Sequence, residues 1–198
     1  MNNGDVSQGR RRFLIGATSV VGGVGVVGAA VPFVASWNPS AKAEAAGAPV
    51  TVNVSKIEMG QQITVEWRGK PVWLIRRNER MLESIEKLND VVRDPNSTEP
   101  QQPPYIDNIY RSLEPELAVL VGLCTHLGCV PSYRPEVAPA DLGEDWLGGL
   151  FCPCHGSKYD MAGRVYAAQP APLNLEVPPY RYDDESNITV GLDPEGAA

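Results

Sequence analysis

Hydrophobic residues follow two different patterns along this chain of 198 residues. Residues 13–34 form an uncharged, mostly apolar run, which as a helix rising 1.5 Å per residue would be about 33 Å long. Beyond residue 50 the apolar positions come in short runs rich in β-branched and aromatic side chains. The pattern therefore predicts one transmembrane helix followed by a mainly β domain.

The β domain, residues 50–198, is built from short predicted elements. The strands are predicted at residues 50–54, 62–67, 70–76, 117–122 and 188–190, with a turn at Trp67-Arg68-Gly69-Lys70. Residues 150–151 and 164–166 are predicted to form a hairpin. A helix is predicted over residues 79–88, a polar loop over 94–104 and an acidic insertion over 133–149. We expect stacked antiparallel sheets with a small subdomain, about residues 120–172, at one end.

Charge divides the chain in the same way as hydropathy. The net charge is −7, but residues 1–48 carry +2, so the remainder carries −9. An acidic domain disfavours a role in nucleic-acid binding.

The N-terminal residues predict where the domain is located. Arg10, Arg11 and Arg12 precede the apolar run, so residues 1–12 should stay in the cytoplasm and residues 13–35 should anchor the chain. Together with Phe13 and Leu14 they also resemble a twin-arginine export signal. An alternative is cleavage after the small-x-small pattern at residues 41–43. Residues 36–49, rich in alanine, are predicted to be a flexible or weakly helical linker.

All four cysteines and both histidines lie in two short stretches, CTHLGC at 124–129 and CPCHGS at 152–157. Thiolate and imidazole ligands together fit a tetrahedral zinc site or a two-iron cluster with mixed ligation. Six candidate ligands are too many for one zinc ion, and four cysteines allow three disulfide pairings. A structural zinc module is therefore the alternative to a redox centre.

These stretches resemble the paired cluster-binding loops of the Rieske iron-sulfur protein of ubiquinol:cytochrome c reductase. The likeness extends through SKYD at 157–160 to QPAPLNL at 169–175, which resembles the proline loop that covers the cluster in that family. Upstream it includes the N-terminal anchor. Gln169 stands where many members of the family have glycine. The small subdomain would then be rubredoxin-like and bind one [2Fe-2S] cluster.

The resemblance also implies roles for individual residues. Cys124 and Cys152 would bind the inner iron, and His126 and His155 the outer iron, with His155 as the expected quinol contact. Cys129 and Cys154 would form a disulfide between the loops.

Four further residues are expected at the cluster by the same resemblance. The hydroxyl of Ser157 would donate to a cluster sulfur and that of Tyr159 to a cysteine ligand. Such donors stabilise the reduced state and raise the potential. Leu127 and Pro172 are also expected beside the cluster.

The function implied is that of the electron-transfer subunit of a membrane quinol:cytochrome c oxidoreductase. It would take one electron from ubiquinol at cytochrome b and pass it to a c-type cytochrome, with coupled proton release, and the linker would let the domain swing between them. The family works as a dimeric complex in the bacterial inner membrane, with the cluster domain in the periplasm.

Two other redox functions remain possible. The first alternative is the small Rieske subunit of a periplasmic oxidase of the arsenite oxidase type. A second is an oxygenase-type carrier, but such proteins usually lack Cys129, Cys154, Ser157, Tyr159 and an export anchor.

Overall fold

The computed structural model describes residues 7–197, so residues 1–6 of the expected cytoplasmic segment lie outside the described residues. The chain forms two compact units, Met1–Ala45 and Ala46–Ala198.

The first unit contains the predicted apolar helix. Helix α1, Gln8–Ala35, is 28 residues long with a mean hydropathy of 2.0 in its most apolar window, long and apolar enough to cross a membrane. The side chain of Ser7 caps its N-terminus by accepting from the backbone N–H of Arg10. No side chain of this helix is buried. A short second helix, α2 at Ala41–Gly47, lies inside the predicted linker.

The second unit is mainly antiparallel β-structure, as predicted. Its strands are β1 Val50–Asn53, β2 Gln62–Trp67, β3 Lys70–Arg76, β4 Leu117–Val121, β5 Ser132–Arg134, β6 Gly149–Phe151, β7 Lys158–Tyr159, β8 Tyr180–Tyr182 and β9 Asn187–Val190. Helix α3, Glu79–Lys87, follows β3 and confirms the predicted helix. The strands form three sheets in the orders β1-β9-β8, β2-β3-β4 and β5-β6-β7.

The first two sheets form the base of the domain. Strands β2 and β3 form a hairpin through a tight turn at Arg68 and Gly69, both of which have positive φ. Strand β4 pairs with β3 and is buried at every position, because it runs through the main hydrophobic core. It leads directly towards the first cysteine stretch. The pairing of β1 with β9 joins the two ends of this unit.

The third sheet corrects one prediction. The expected hairpin between residues 150–151 and 164–166 is wrong, because β6 pairs with β5 and β7. Val165 bridges to Tyr159 of β7 instead, one strand further away. The acidic insertion at 133–149 begins within β5 and packs Trp146 and Leu142 into a second small core.

Candidate metal centre

The two cysteine stretches form loops with the same backbone hydrogen bonds. In the first loop, residues 124–129, the N–H of Cys124 donates to the carbonyl of Cys129 at 2.7 Å, and that of Gly128 donates to Cys124 at 2.9 Å. In the second loop, residues 152–157, Cys152 donates to Ser157 at 2.8 Å and Gly156 to Cys152 at 3.0 Å.

Glycine is required at one position in each of these turns. Gly128 and Gly156 have φ of 80° and 79°, a left-handed conformation that side chains with a Cβ disfavour. The matching geometry explains why the two sequence stretches look alike.

A disulfide joins the loops, as the family resemblance implied. The sulfurs of Cys129 and Cys154 are bonded, with a Cα–Cα distance of 6.7 Å. The Sγ atoms of Cys129, Cys152 and Cys154 all lie within 4.8 Å of one another. Because two of these three are bonded to each other, only Cys152 of this group keeps a thiol that can bind metal.

The remaining thiols are inside the protein. Cys124 and Cys152 are free and buried, with exposed fractions of 3% and 2%. Burial raises the pKa of the Cys152 thiol, and the neighbouring Cys124 thiol raises it further. Two thiols held together away from water are expensive to ionise alone, so a bound cation would stabilise their thiolate forms.

The histidines lie together on the outer side of the same site. The ring centroids of His126 and His155 are 4.6 Å apart. His126 is half-buried, whereas His155 is exposed. The Nδ1 atom of His126 is buried and has no hydrogen-bond partner among the residues that the structure describes. An unpaired buried nitrogen beside a second imidazole fits a metal ligand.

Tyr159 contacts one of the two free thiols. Its hydroxyl donates to the Sγ of Cys124 at 3.2 Å. Burial, and then this contact, raise the pKa of Tyr159, so the phenol stays protonated and can donate at neutral pH.

Ser157, at the end of the second loop, is also buried. Its Oγ accepts from the N–H of Ala171 at 3.1 Å, and its own proton remains available to donate.

Two residues with no predicted role connect the proline loop, residues 169–175, to the rest of the site. The hydroxyl of Thr125 donates to the carbonyl of Leu173 at 2.6 Å, and its N–H donates to the hydroxyl of Tyr159 at 3.2 Å. Asn174 is buried and accepts from the N–H of Val165 at 2.9 Å. The position of Thr125 between two candidate ligands was the only sequence signal for this network.

Leu127 and Pro172 are both exposed. Leu127, at the tip of the first loop, has an exposed fraction of 72%. Pro172 lines a surface cavity of about 320 Å³ together with Arg93 and Thr98. The expected contact of both residues with the cluster stays a prediction. Gln169 accepts from the N–H of Lys158 at 3.3 Å, a link that a glycine at this position could not make.

Antiparallel sheets and a disulfide-linked pair of Cys/His loops define a Rieske-type protein. A model of the Rieske [2Fe-2S] domain matches residues 91–180, and a model described as the ubiquitinol-cytochrome C reductase Fe-S subunit TAT signal matches residues 1–40. The cofactor is therefore one [2Fe-2S] cluster, and the zinc interpretation loses its support.

Individual relatives give a more specific assignment. The ubiquinol-cytochrome c reductase iron-sulfur subunit of Allochromatium vinosum is 53% identical over 95% of this chain and 91% of its own length. That of Blastochloris viridis is 40% identical, covering 96% of this chain and 98% of its own. The chain belongs to the family of ubiquinol-cytochrome c reductase iron-sulfur subunits.

A solved structure of a respiratory complex contains a similar chain. A chain of a hyperthermophilic respiratory Complex III is 28% identical, covers 89% of this chain and 98% of its own, and has a TM-score of 0.49. The family assignment depends on the sequence relatives and not on this likeness.

Proposed function

We propose that this protein is the electron-transfer subunit of a membrane ubiquinol:cytochrome c reductase. It accepts one electron from ubiquinol at the quinol-oxidation site of cytochrome b and passes it to a c-type cytochrome, with coupled release of a proton. The observation that carries the proposal is the arrangement of the four candidate ligands, with two thiols buried inside and two imidazoles towards the surface.

The ligand roles follow from this arrangement. Cys124 and Cys152 would hold the inner iron of the cluster, and His126 and His155 the outer iron. The cluster, when bound, supplies one-electron chemistry at potentials of roughly −150 to +300 mV. Tyr159 would donate to the Sγ of Cys124 and Ser157 to a sulfur of the cluster, and both hydrogen bonds would favour the reduced state.

His155 is the residue best placed to meet the quinol. Its imidazole is exposed, whereas His126 is half-buried with Nδ1 facing inward. A surface imidazole can accept a hydrogen bond from a quinol hydroxyl and take its proton. The exposed side chain of Leu127 lies on the neighbouring loop and adds an apolar contact for a ring. The difference in exposure supports His155 over His126 as the quinol contact.

The location of the domain follows from the N-terminal segment. Residues 1–12 would remain in the cytoplasm, residues 13–35 would anchor the protein in the inner membrane, and residues 50–198 would fold before export to the periplasm. Support comes from the apolar helix α1 and from the match to the TAT signal model. The cytochrome b and c-type cytochrome subunits, in a dimeric complex, are the proposed partners, and residues 36–49 the proposed hinge.

Redox titration of the purified complex across pH tests the proposal. We expect a high positive potential that falls as the pH rises past neutrality, because loss of an imidazole proton is linked to oxidation. Quinol should also drive cytochrome c reduction by the same sample. A low potential that does not change with pH would identify an oxygenase-type carrier instead. A positive potential without quinol oxidation would favour the small subunit of a periplasmic oxidase.

A further inference from the structure

The described part of the β domain buries three arginines completely. Arg77, Arg111 and Arg164 each have an exposed fraction of 0%. Burial lowers the pKa of Arg77 and Arg111, each to about 10, so both guanidinium groups remain charged at neutral pH. Charges this deeply buried are costly unless they are well paired.

All three guanidinium groups surround one turn, residues 160–164, which directly follows β7. Arg77 donates to the carbonyl of Met161 at 3.2 Å, and Arg111 donates to the carbonyl of Ala162 at 3.0 Å. Arg164 lies in the turn itself and pairs with the carboxylate of Asp160 at 2.7 Å. We call these three residues the buried arginine group.

The charges of this group are not balanced. Asp160 is the buried carboxylate among them, with an exposed fraction of 0%, so three positive charges and one negative charge leave +2. The half-buried carboxylate of Asp94 also acts on Arg111 and reduces the sum to +1. The carboxylate of Glu116 also acts on Arg77, but Glu116 is exposed, so water screens its charge more strongly. Most hydrogen bonds of the three arginines go to neutral acceptors, which do not cancel charge.

The turn is linked to the metal centre through Tyr159, and Arg111 links it to the proline loop. Asp160 directly follows Tyr159, whose hydroxyl contacts the Sγ of Cys124. Arg111 also donates to the carbonyl of Leu175, the last residue of the proline loop, at 2.7 Å. The side chains of Tyr159, Val165 and Leu175 in this region are buried, with exposed fractions of 0%. Water and salt therefore screen the field of the buried charges only weakly.

We propose that the buried arginine group raises the reduction potential of the metal centre by supplying net positive charge around the turn at residues 160–164. The proposal rests on the proposed function, since it concerns the same electron acceptor. Reduction adds one negative charge to the centre, and a buried cation stabilises that charge without contacting it. The arginines thus act through space, in addition to the hydrogen bonds from Tyr159 and Ser157.

Redox titration of the full chain in its complex, followed by low-temperature electron spin resonance, tests the proposal. Arg111→Gln removes one charge, and the ratio of reduced to oxidised centre at a fixed ambient potential should fall roughly three- to tenfold. Arg111→Lys keeps the charge and should restore most of the ratio. Equal losses in both variants would assign Arg111 a role through shape alone and overturn the proposal.

Asp160→Asn removes a negative charge instead of a positive one, and asparagine has nearly the same shape as aspartate. The expected shift in potential therefore has the opposite sign. Removal of the buried negative charge should raise the potential, whereas a general loosening of the site would lower it. A fall or no change in this variant would overturn the proposal, and it decides the matter if no Arg111 variant folds.

An exposed arginine near the site supplies the control. Arg93 is exposed and lines the cavity beside Pro172. Arg93→Gln should shift the potential less, and the shift should disappear at high salt, whereas the Arg111→Gln shift should persist. If the potential shift of Arg111→Gln also disappeared at high salt, the proposal would be overturned. Since the titration needs no quinol, a wild-type potential without quinol oxidation would count against the proposed function only.

Discussion

The two cluster loops have the same backbone and different surroundings. Both close through a cysteine N–H bond to a carbonyl five residues later and a glycine with positive φ. Two apolar side chains are exposed at the first loop: Leu127 within it, at 72%, and Val130 directly after it, at 53%. The second loop continues into the buried Ser157 and Tyr159, with exposed fractions of 0%.

This difference divides the work of the site between the loops. The first loop presents an apolar tip and holds the half-buried His126. The second presents the exposed His155 and leads to Tyr159, whose hydroxyl donates to the Sγ of Cys124. Under the proposed function, the first loop would add an apolar contact for the quinol, and the second would supply both the quinol contact, His155, and the donors that tune the potential. The disulfide between Cys129 and Cys154 joins the two loops covalently.

The largest expected effect concerns the four proposed metal ligands, two of which come from each loop. Serine at Cys124 or Cys152, and alanine at His126 or His155, should each abolish the [2Fe-2S] signal, since each change removes one of the four proposed metal ligands. Electron spin resonance and iron analysis of the purified complex measure this. Val130→Ala, an exposed apolar change beside the first loop, is the control and should keep the signal. A signal that survives in His155→Ala would remove that residue from the ligand set.

The sequence predicted the base of the domain better than its tip. Strands β2 and β3 were predicted to the residue, because β-branched runs and a tight turn mark them locally, and helix α3 was predicted to within one residue. Strands β5 and β7 have only three and two residues, too few for a periodic pattern. Their pairing depends on where the loops and the disulfide bring distant segments together.

The candidate site was also only partly predictable from the sequence. The spacing of cysteines and histidines was enough to predict the metal centre, since those residue types have few other reasons to cluster. The buried arginine group was not predictable, because its members are single charged residues far apart in the sequence. Such residues are usually exposed, and only the tertiary structure buries them.

The next effect in size tests the link between the loops. Replacing Cys129, Cys154 or both by serine removes the disulfide, which closes a sequence separation of 25 residues. Loss of this constraint on the unfolded chain should lower the free energy of unfolding by about 3 to 4 kcal/mol. Denaturant unfolding with and without a reductant measures it. Reductant should destabilise the wild type and leave the double variant unchanged; equal sensitivity of both would contradict the prediction.

The smallest predicted effect concerns the donors that only the second loop supplies. Tyr159→Phe removes the hydrogen bond to the Sγ of Cys124 and keeps the ring. A hydrogen bond to a charged acceptor contributes about 1.5 kcal/mol or more, which corresponds to roughly 60 mV for a one-electron couple. The potential should fall by about this amount, and Ser157→Ala should produce a fall of similar size. Redox titration of both variants measures the shifts.

Tyr166 provides a matched control for the change at Tyr159. It is also a buried tyrosine on the segment that follows the second loop, and its hydroxyl has no hydrogen-bond partner among the described residues. Tyr166→Phe therefore removes a hydroxyl from the same region without removing a donor to sulfur, and the potential should stay unchanged. Equal shifts in the two variants would mean that the potential responds to packing, and the division of roles between the loops would then lose its chemical basis.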